Sequence, residues 1–332
     1  MKMPIERSER PQPDPMALPL ERQVLSGATM GTRYSAVFYA RGDEDRSGLG
    51  RDLQAAVDAV DAQMSTWKPD SALMQLNRAP TGAWFKVPGE LFTVLTAALE
   101  IGRQSDGAFD IGVGDLVAAW GFGSQAGGSD QLGPAAADNA PRRPAHLCLE
   151  LDHAQQRVRK FAAVTLDLSG IAKGFGVDEL ARALRAHGIA HFLVSIDGEL
   201  RAAGGKPDGS PWRVAVEKPE TGHRAVEGVL ELSEGAVATS GDYRQFVERD
   251  GIRYAHTMDP RRGAPLADGP AAVTVMAETC IAADAWATAL LVLGPRTGAE
   301  LASRHGIEAL FIDRVPVAAS DLITSAKITK ED

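Results

Sequence analysis

One stretch of this chain constrains what the rest can become. Between residues 281 and 293 every side chain except Asp284 and Thr288 is apolar. A helix that is apolar all round has no face to offer water, so it has to be enclosed by other elements. It is too short to span a membrane, and no apolar run in the chain approaches the roughly 18 residues that a span needs. The chain must therefore build layers around a buried helix. With 332 residues, 44% of them hydrophobic and 24% charged, it has the material to do so. At about 150 residues per domain, that length suits two domains or one large one. A net charge of −9 with no basic block argues against nucleic acid or an anionic membrane as partner. Cys148 and Cys280 stand far apart with no CxxC spacing, which argues against a disulfide framework and a thiolate zinc site.

Periodicity supplies the coarse elements. Residues 33–40 alternate and are rich in β-formers, predicting a strand. Ser47 can cap a helix that carries Leu49, Leu53, Val57, Val60 and Met64 at helical spacing. Ser65 to Pro69 breaks it, and Asp70 can cap a second short helix. A third starts near Pro88, with Leu91, Val94, Leu95, Ala98 and Leu99 on one face. Short strands are expected at 147–151, 157–161 and 165–168, and a helix over 173–187 stops at the C′ glycine Gly188. Strands at 191–196, 212–217, 226–232, 253–257 and 272–276 precede the apolar helix, and a further helix and strands close the chain. Neighbouring strands with helices gathered at intervals predict a mixed α/β fold, with largely antiparallel sheets and flanking helices. Residues 23–326 show no internal repeat or Ser/Gly linker and are expected to form one domain, with a Gly/Ala/Pro-rich insertion at 123–145. Residues 1–22, which hold Pro4, Pro11, Pro13, Pro15 and Pro19, suit a flexible solvated tail. That tail lacks the continuous apolar stretch of a secretory signal, so the expected compartment is the cytoplasm.

Four clusters can carry chemistry. The run Asp167-Leu168-Ser169-Gly170-Ile171-Ala172-Lys173-Gly174-Phe175-Gly176 suits a strand end, a glycine-bearing turn and a helix start. Free N–H groups there, with the point charge of Lys173, favour phosphate. The spacing is not that of a Walker motif, and alone the segment is more readily an ordinary turn with a surface lysine. Asp284 and Thr288 stand at i and i+4 and face the same way on the apolar helix. A carboxylate there is costly unless compensated. A hard cation such as Mg²⁺ would do this, and so would a buried arginine or a helix N-terminus. His256, within Tyr254-Ala255-His256-Thr257-Met258-Asp259-Pro260, can act as a base near neutral pH or merely hydrogen-bond a loop. Asp106-Gly107-Ala108-Phe109-Asp110-Ile111-Gly112-Val113-Gly114 either lets backbone approach a ligand or is a plain turn.

These clusters occur in order with Thr29-Met30-Gly31-Thr32, Met64-Ser65-Thr66-Trp67 and Ala238-Thr239-Ser240-Gly241-Asp242-Tyr243. Together they resemble the FAD:protein FMN transferases, the ApbE-type flavin transferases, over about residues 25–295. The resemblance implies a T-fold-like α/β architecture that binds FAD in an extended cleft. It implies transfer of the FMN half of FAD to a threonine hydroxyl of a target flavoprotein, with Mg²⁺ and release of AMP. By matched position, Met30, Trp67, Ala108, Phe109, Asp110, Asp167, Lys173 and Met258 would contact FAD. Gly170 (through its carbonyl), Asp284 and Thr288 would hold Mg²⁺.

Some positions depart from the family pattern. Ile111-Gly112-Val113-Gly114-Asp115 stands where relatives usually have Pro-Thr-Val-Gly-Pro, and Asp197 where the first glycine of a pair is common. Many relatives carry a lipoprotein signal, which this sequence does not show. Cleaving a pyrophosphate requires charge to be stabilised on the transferring and leaving oxygens. A threonine hydroxyl is a weak nucleophile that a base assists; His256 is the first choice for that base and Asp284 the second. Trp67 suits a flat ring ligand. Two other activities fit the same residues, namely a Mg-dependent FAD pyrophosphatase with water as acceptor and a non-catalytic FAD-binding or carrier protein. Retention of Asp284, Thr288 and His256 weighs against the carrier.

Overall fold

Alternating burial builds the first hairpin, in which β1 (Glu21–Thr29) pairs with β2 (Thr32–Ala40) from Glu21↔Ala40 to Thr29↔Thr32. The computed structural model describes residues 19–42, 45–123, 142–219, 225–241, 246–249, 252–267, 269–313 and 323–324. The hairpin is followed by α1 (Arg46–Met64), α2 (Ala72–Arg78), β3 (Trp84–Lys86), α3 (Gly89–Gln104), α4 (Gly114–Ala119) and α5 (Ala145–Cys148). Next come β4 (Leu149–Asp152), β5 (Arg157–Lys160), α6 (Ala172–Ala186), β6 (His191–Ile196) and β7 (Glu199–Ala203). The chain continues through β8 (Trp212–Glu217), β9 (Val226–Leu232), β10 (Gly235–Gly241), β11 (Phe246–Arg249) and β12 (Ile252–Ala255). It ends with β13 (Met258–Asp259), β14 (Ala264–Pro265), β15 (Ala272–Ala277), α7 (Cys280–His305), β16 (Glu308–Ile312) and β17 (Ile323–Thr324).

Eight strands form one sheet in the order β1-β2-β6-β7-β10-β15-β16-β17, antiparallel at every pairing. Successive residues of a strand point to opposite faces, and the sheet uses both. Ala203, Ala236, Ala238, Val273 and Phe311 lie on the helix side, whereas Ala202, Val237, Ala272, Leu310 and Ile312 lie on the other. On the helix side, Leu49, Leu53 and Val57 of α1 and Val177, Leu180 and Leu184 of α6 pack on Phe38, Phe192 and Val194. On the opposite side, the β8–β9 hairpin lays Trp212, Val214, Val216, Leu230 and Leu232 on the sheet. Each such side chain contributes about 1.5–3 kcal/mol when fully buried. The apolar helix is α7, with Ala283, Ala285, Trp286, Ala287, Ala289, Leu290 and Leu291 all buried. It is broken at Gly294 (φ 74°, ψ 174°), because Pro295 disfavours helical backbone in the residue before it. No helix among the described residues is long and apolar enough to cross a membrane.

Several local expectations shift by a residue or more. The five spaced apolar residues of α1 are the buried ones, but Asp45 rather than Ser47 caps it, its carboxylate accepting the N–H groups of Ser47 and Gly48. Ser71 rather than Asp70 caps α2 through Met74 N–H at 3.1 Å. Residues 147–148 belong to the end of α5, not to a strand. Residues 165–168 join no ladder. The Asn77 side chain stands in for a neighbouring strand, accepting Leu166 N–H at 2.8 Å and donating to Leu166 C=O at 2.9 Å. β7 and β10 are unexpected, since β7 (ELRAA) has no β-branched or aromatic residue and β10 (GAVATSG) is mostly Ala, Gly and Ser, yet both sit in the middle of the sheet; strand propensity yields to tertiary context. Glu21 and Arg22 begin β1 rather than ending the tail. Residues 1–18 of the tail and 124–141 of the insertion lie outside the described residues.

Candidate active site

A cleft of about 1040 Å³ is lined by residues from the helix side of the sheet and by Val214, Val216 and Val237 from the other side. It gathers every residue that the sequence put forward: Met30, Trp67, Ala108, Phe109, Asp110, Asp167, Gly170, Lys173, His256, Met258, Asp284 and Thr288. Two hairpin tips that neighbour each other in the sheet form part of its wall. Met30 (φ 45°) and Gly31 (φ 74°) turn β1 into β2, and Asp197 (φ 55°) with Gly198 turns β6 into β7. Two-residue hairpin loops call for this left-handed backbone. That explains why a glycine is at home where Asp197 stands, and aspartate is among the side chains that tolerate it.

At the base of the cleft, α6 and α7 meet at Gly174. A Cβ there would lie 2.3 Å from the Cys280 carbonyl oxygen and 2.7 Å from Asp284 Cβ. Neither helix begins on a side-chain cap of its own, for Ile171 and Thr279 make no capping bond. Each borrows a carboxylate from the other. Asp284 of α7 accepts Gly174 N–H at 2.9 Å, and Asp178 of α6 accepts the N–H groups of Cys280 and Ile281 at 3.0 and 2.9 Å. Arg201 holds Asp178 from β7 at 2.5 Å. A helix N-terminus, one of the three compensations the sequence left open for Asp284, is thus present.

The charge around Asp284 is nevertheless unbalanced. Burial and the nearby Glu199 outweigh Lys173 and the Gly174 N–H, and push the Asp284 carboxyl up to about 7. Lys173 is not a surface lysine. Its Nζ lies 2.8 Å from Glu199 and 3.7 Å from Asp197. Burial opposes its charge, but Glu199, Asp284 and Asp197 prevail and hold the ammonium above its ordinary value. One cation therefore faces three carboxylates.

The oxygens assigned to Mg²⁺ fit a hard cation in kind. Thr288 Oγ1 lies 3.0 Å from Ser240 Oγ, and a Cβ on Gly170 would come within 3.2 Å of that same Thr288 oxygen. The turn after residue 168 and α7 are therefore in contact at Thr288. Among the described residues, no group of three or more His, Cys, Asp or Glu is placed to hold a metal. A cation held here would rely on few protein ligands, as Mg²⁺ does when it keeps waters and substrate phosphates.

The remaining acids shape loops. Asp110 accepts Gly112 N–H at 2.8 Å and Ala145 N–H at 3.0 Å, and burial pushes its carboxyl up. Asp167 accepts Ser169 N–H at 2.8 Å, which bends the chain toward Gly170. Ser105 Oγ holds Phe109 N–H at 3.0 Å. Trp67 is 67% exposed at the rim, Met258 packs with Leu116 and Trp120, and His256 stands 6.5 Å from the Phe122 ring. Ser240 and Glu199 are among the cleft residues that the sequence reading gave no role. Ser240 lay inside a quoted motif without a role, and Glu199 carried one signal only, an acid at a position that the sheet buries.

The ApbE family model matches residues 30–311. The FAD:protein FMN transferase of Vibrio cholerae serotype O1 is 37% identical over 299 residues, covering 89% of this chain and 88% of the relative. That of Escherichia coli strain K12 is 36% identical, covering 89% and 85%. The apo crystal structure of Pseudomonas stutzeri flavinyl transferase ApbE matches with a TM-score of 0.80 at 37% identity, over 90% of this chain and 93% of that one. The flavin transferase ApbE from Vibrio cholerae matches at 0.79 and 35%, over 90% and 95%. By sequence along most of its length and by fold, this chain belongs to the ApbE family.

Proposed function

We propose that this chain transfers the FMN half of FAD to a threonine hydroxyl of an acceptor flavoprotein, with Mg²⁺ and release of AMP. Family membership and the likeness to FAD:protein FMN transferases support a flavinyltransferase that uses FAD. The observation that carries the finer reading is that one cleft holds Lys173, Asp284, Thr288 and Gly170 together with the flavin-contact candidates. Its volume is near the upper end for small-molecule sites, about 1,000 Å³, as an extended dinucleotide requires.

Each residue has a distinct task. Lys173, kept charged by its carboxylates, meets the pyrophosphate. Met30, Trp67, Ala108, Phe109, Asp110, Asp167 and Met258 orient the flavin and adenylate. His256 takes the proton of the attacking threonine. Gly170, Asp284 and Thr288 hold the metal, which when bound neutralises charge on the transferring and departing oxygens.

The test is AMP release against Mg²⁺ concentration, with acceptor protein present. Asp284→Asn keeps the shape and an oxygen for Gly174 N–H, so the fold survives while AMP release is abolished. Thr288→Val raises the Mg²⁺ concentration needed for turnover. Wild-type release by Asp284→Asn across the whole range would remove the metal assignment. AMP formed without flavin on the acceptor would mean an FAD pyrophosphatase instead, and FAD bound without any AMP a carrier.

A further inference from the structure

Glu199 opens β7, is 3% exposed and yet lines the cleft. Its Oε1 takes the Lys173 ammonium at 2.8 Å. Its Oε2 is buried and has no hydrogen-bond partner among the described residues. A buried charged oxygen left unpaired costs more than an ordinary hydrogen bond contributes, so its donor has to arrive with a ligand. While ionised, the neighbouring Asp197 and Asp284 carboxylates offer only acceptors. A phosphate is likewise an acceptor and would be repelled. The missing partner is therefore a hydroxyl or an N–H. In FAD, hydroxyls of the ribityl chain and of the ribose flank the pyrophosphate, within reach of a carboxylate already bound to Lys173.

We infer that Glu199 determines substrate specificity: Oε2 accepts a hydrogen bond from one sugar-chain hydroxyl beside the pyrophosphate while Oε1 keeps Lys173 in position, an assignment that rests on Lys173 being the pyrophosphate's cation. Titration calorimetry of the wild type with FAD analogues, each lacking a single ribityl or ribose hydroxyl, tests it directly. One analogue binds about tenfold more weakly or worse and the others match FAD; which one it is tells ribityl from ribose. Glu199→Met, near in size but without acceptors, binds FAD about tenfold more weakly and is indifferent to loss of that hydroxyl. Glu199→Gln restores part of the affinity. Thermal unfolding without ligand checks that the variants are folded, and the wild-type series decides alone if Glu199→Met is not. Analogues that all bind within twofold of FAD overturn the inference, as does a Glu199→Met protein that still discriminates against the missing hydroxyl. ADP titrated into Lys173→Met separates the two assignments. Unchanged ADP affinity takes down the pyrophosphate role of Lys173, and weakened ADP binding with a flat hydroxyl series takes down Glu199 alone.

Discussion

Lys173 keeps its charge in a half-buried setting because acids surround it. Charge-assisted hydrogen bonds are worth about 1.5–3 kcal/mol, so Lys173→Ala is expected to weaken FAD binding roughly 10- to 100-fold at low salt, read by titration calorimetry. An unchanged dissociation constant would leave Lys173 as no more than a counter-ion for Glu199 and Asp284. The thiols make a contrasting case. Burial pushes the thiols of Cys148 and Cys280 up, and both side chains are enclosed. Neither should take up iodoacetamide at mildly alkaline pH while the protein is folded, and both should after unfolding in guanidinium, as counted by mass spectrometry. At this scale the sequence was informative wherever a residue's meaning lay in its own segment, as with Asp284 and Thr288 one helical turn apart. It was silent on Glu199, whose partner is 26 residues away and is met only because β7 lies beside the start of α6.

Two glycines in helices show how neighbouring elements reverse the effect of one substitution. Gly50 lies inside α1 with nothing within 4 Å of a would-be Cβ, so Gly50→Ala should stabilise by about 0.5–1 kcal/mol. Gly174→Ala places its methyl against the backbone carbonyl of Cys280, which cannot swing aside as a side chain can. Overpacking of that kind costs about 1–3 kcal/mol, and urea unfolding of both variants should give opposite signs. Helical spacing exposed α1, α3 and α6 in the sequence because each has one apolar face. The caps were misplaced by one or two residues because several capping side chains stand close together before α1 and α2. The strand β7 lacks β-branched and aromatic residues and β10 has only Val237 and Thr239 among its seven, so their neighbours on both sides make them strands.

Over the whole molecule, FAD is expected to bind more tightly than FMN, since the residues proposed to contact it would meet both ends of the dinucleotide; equal affinities by calorimetry would count against an extended mode of binding. The antiparallel α/β class was legible from the pattern of elements. The strand order was not, because the β2–β6 and β7–β10 pairings join segments far apart in the chain. Borrowed carboxylates at the starts of α6 and α7 have a mechanical consequence. Neither helix can unravel from its first turn without stripping the other of its cap, so the two helix starts are expected to loosen together. A substitution that removes the Asp284 acceptor from Gly174 N–H should therefore loosen the start of α6, which carries Asp178, and with it the cap of α7.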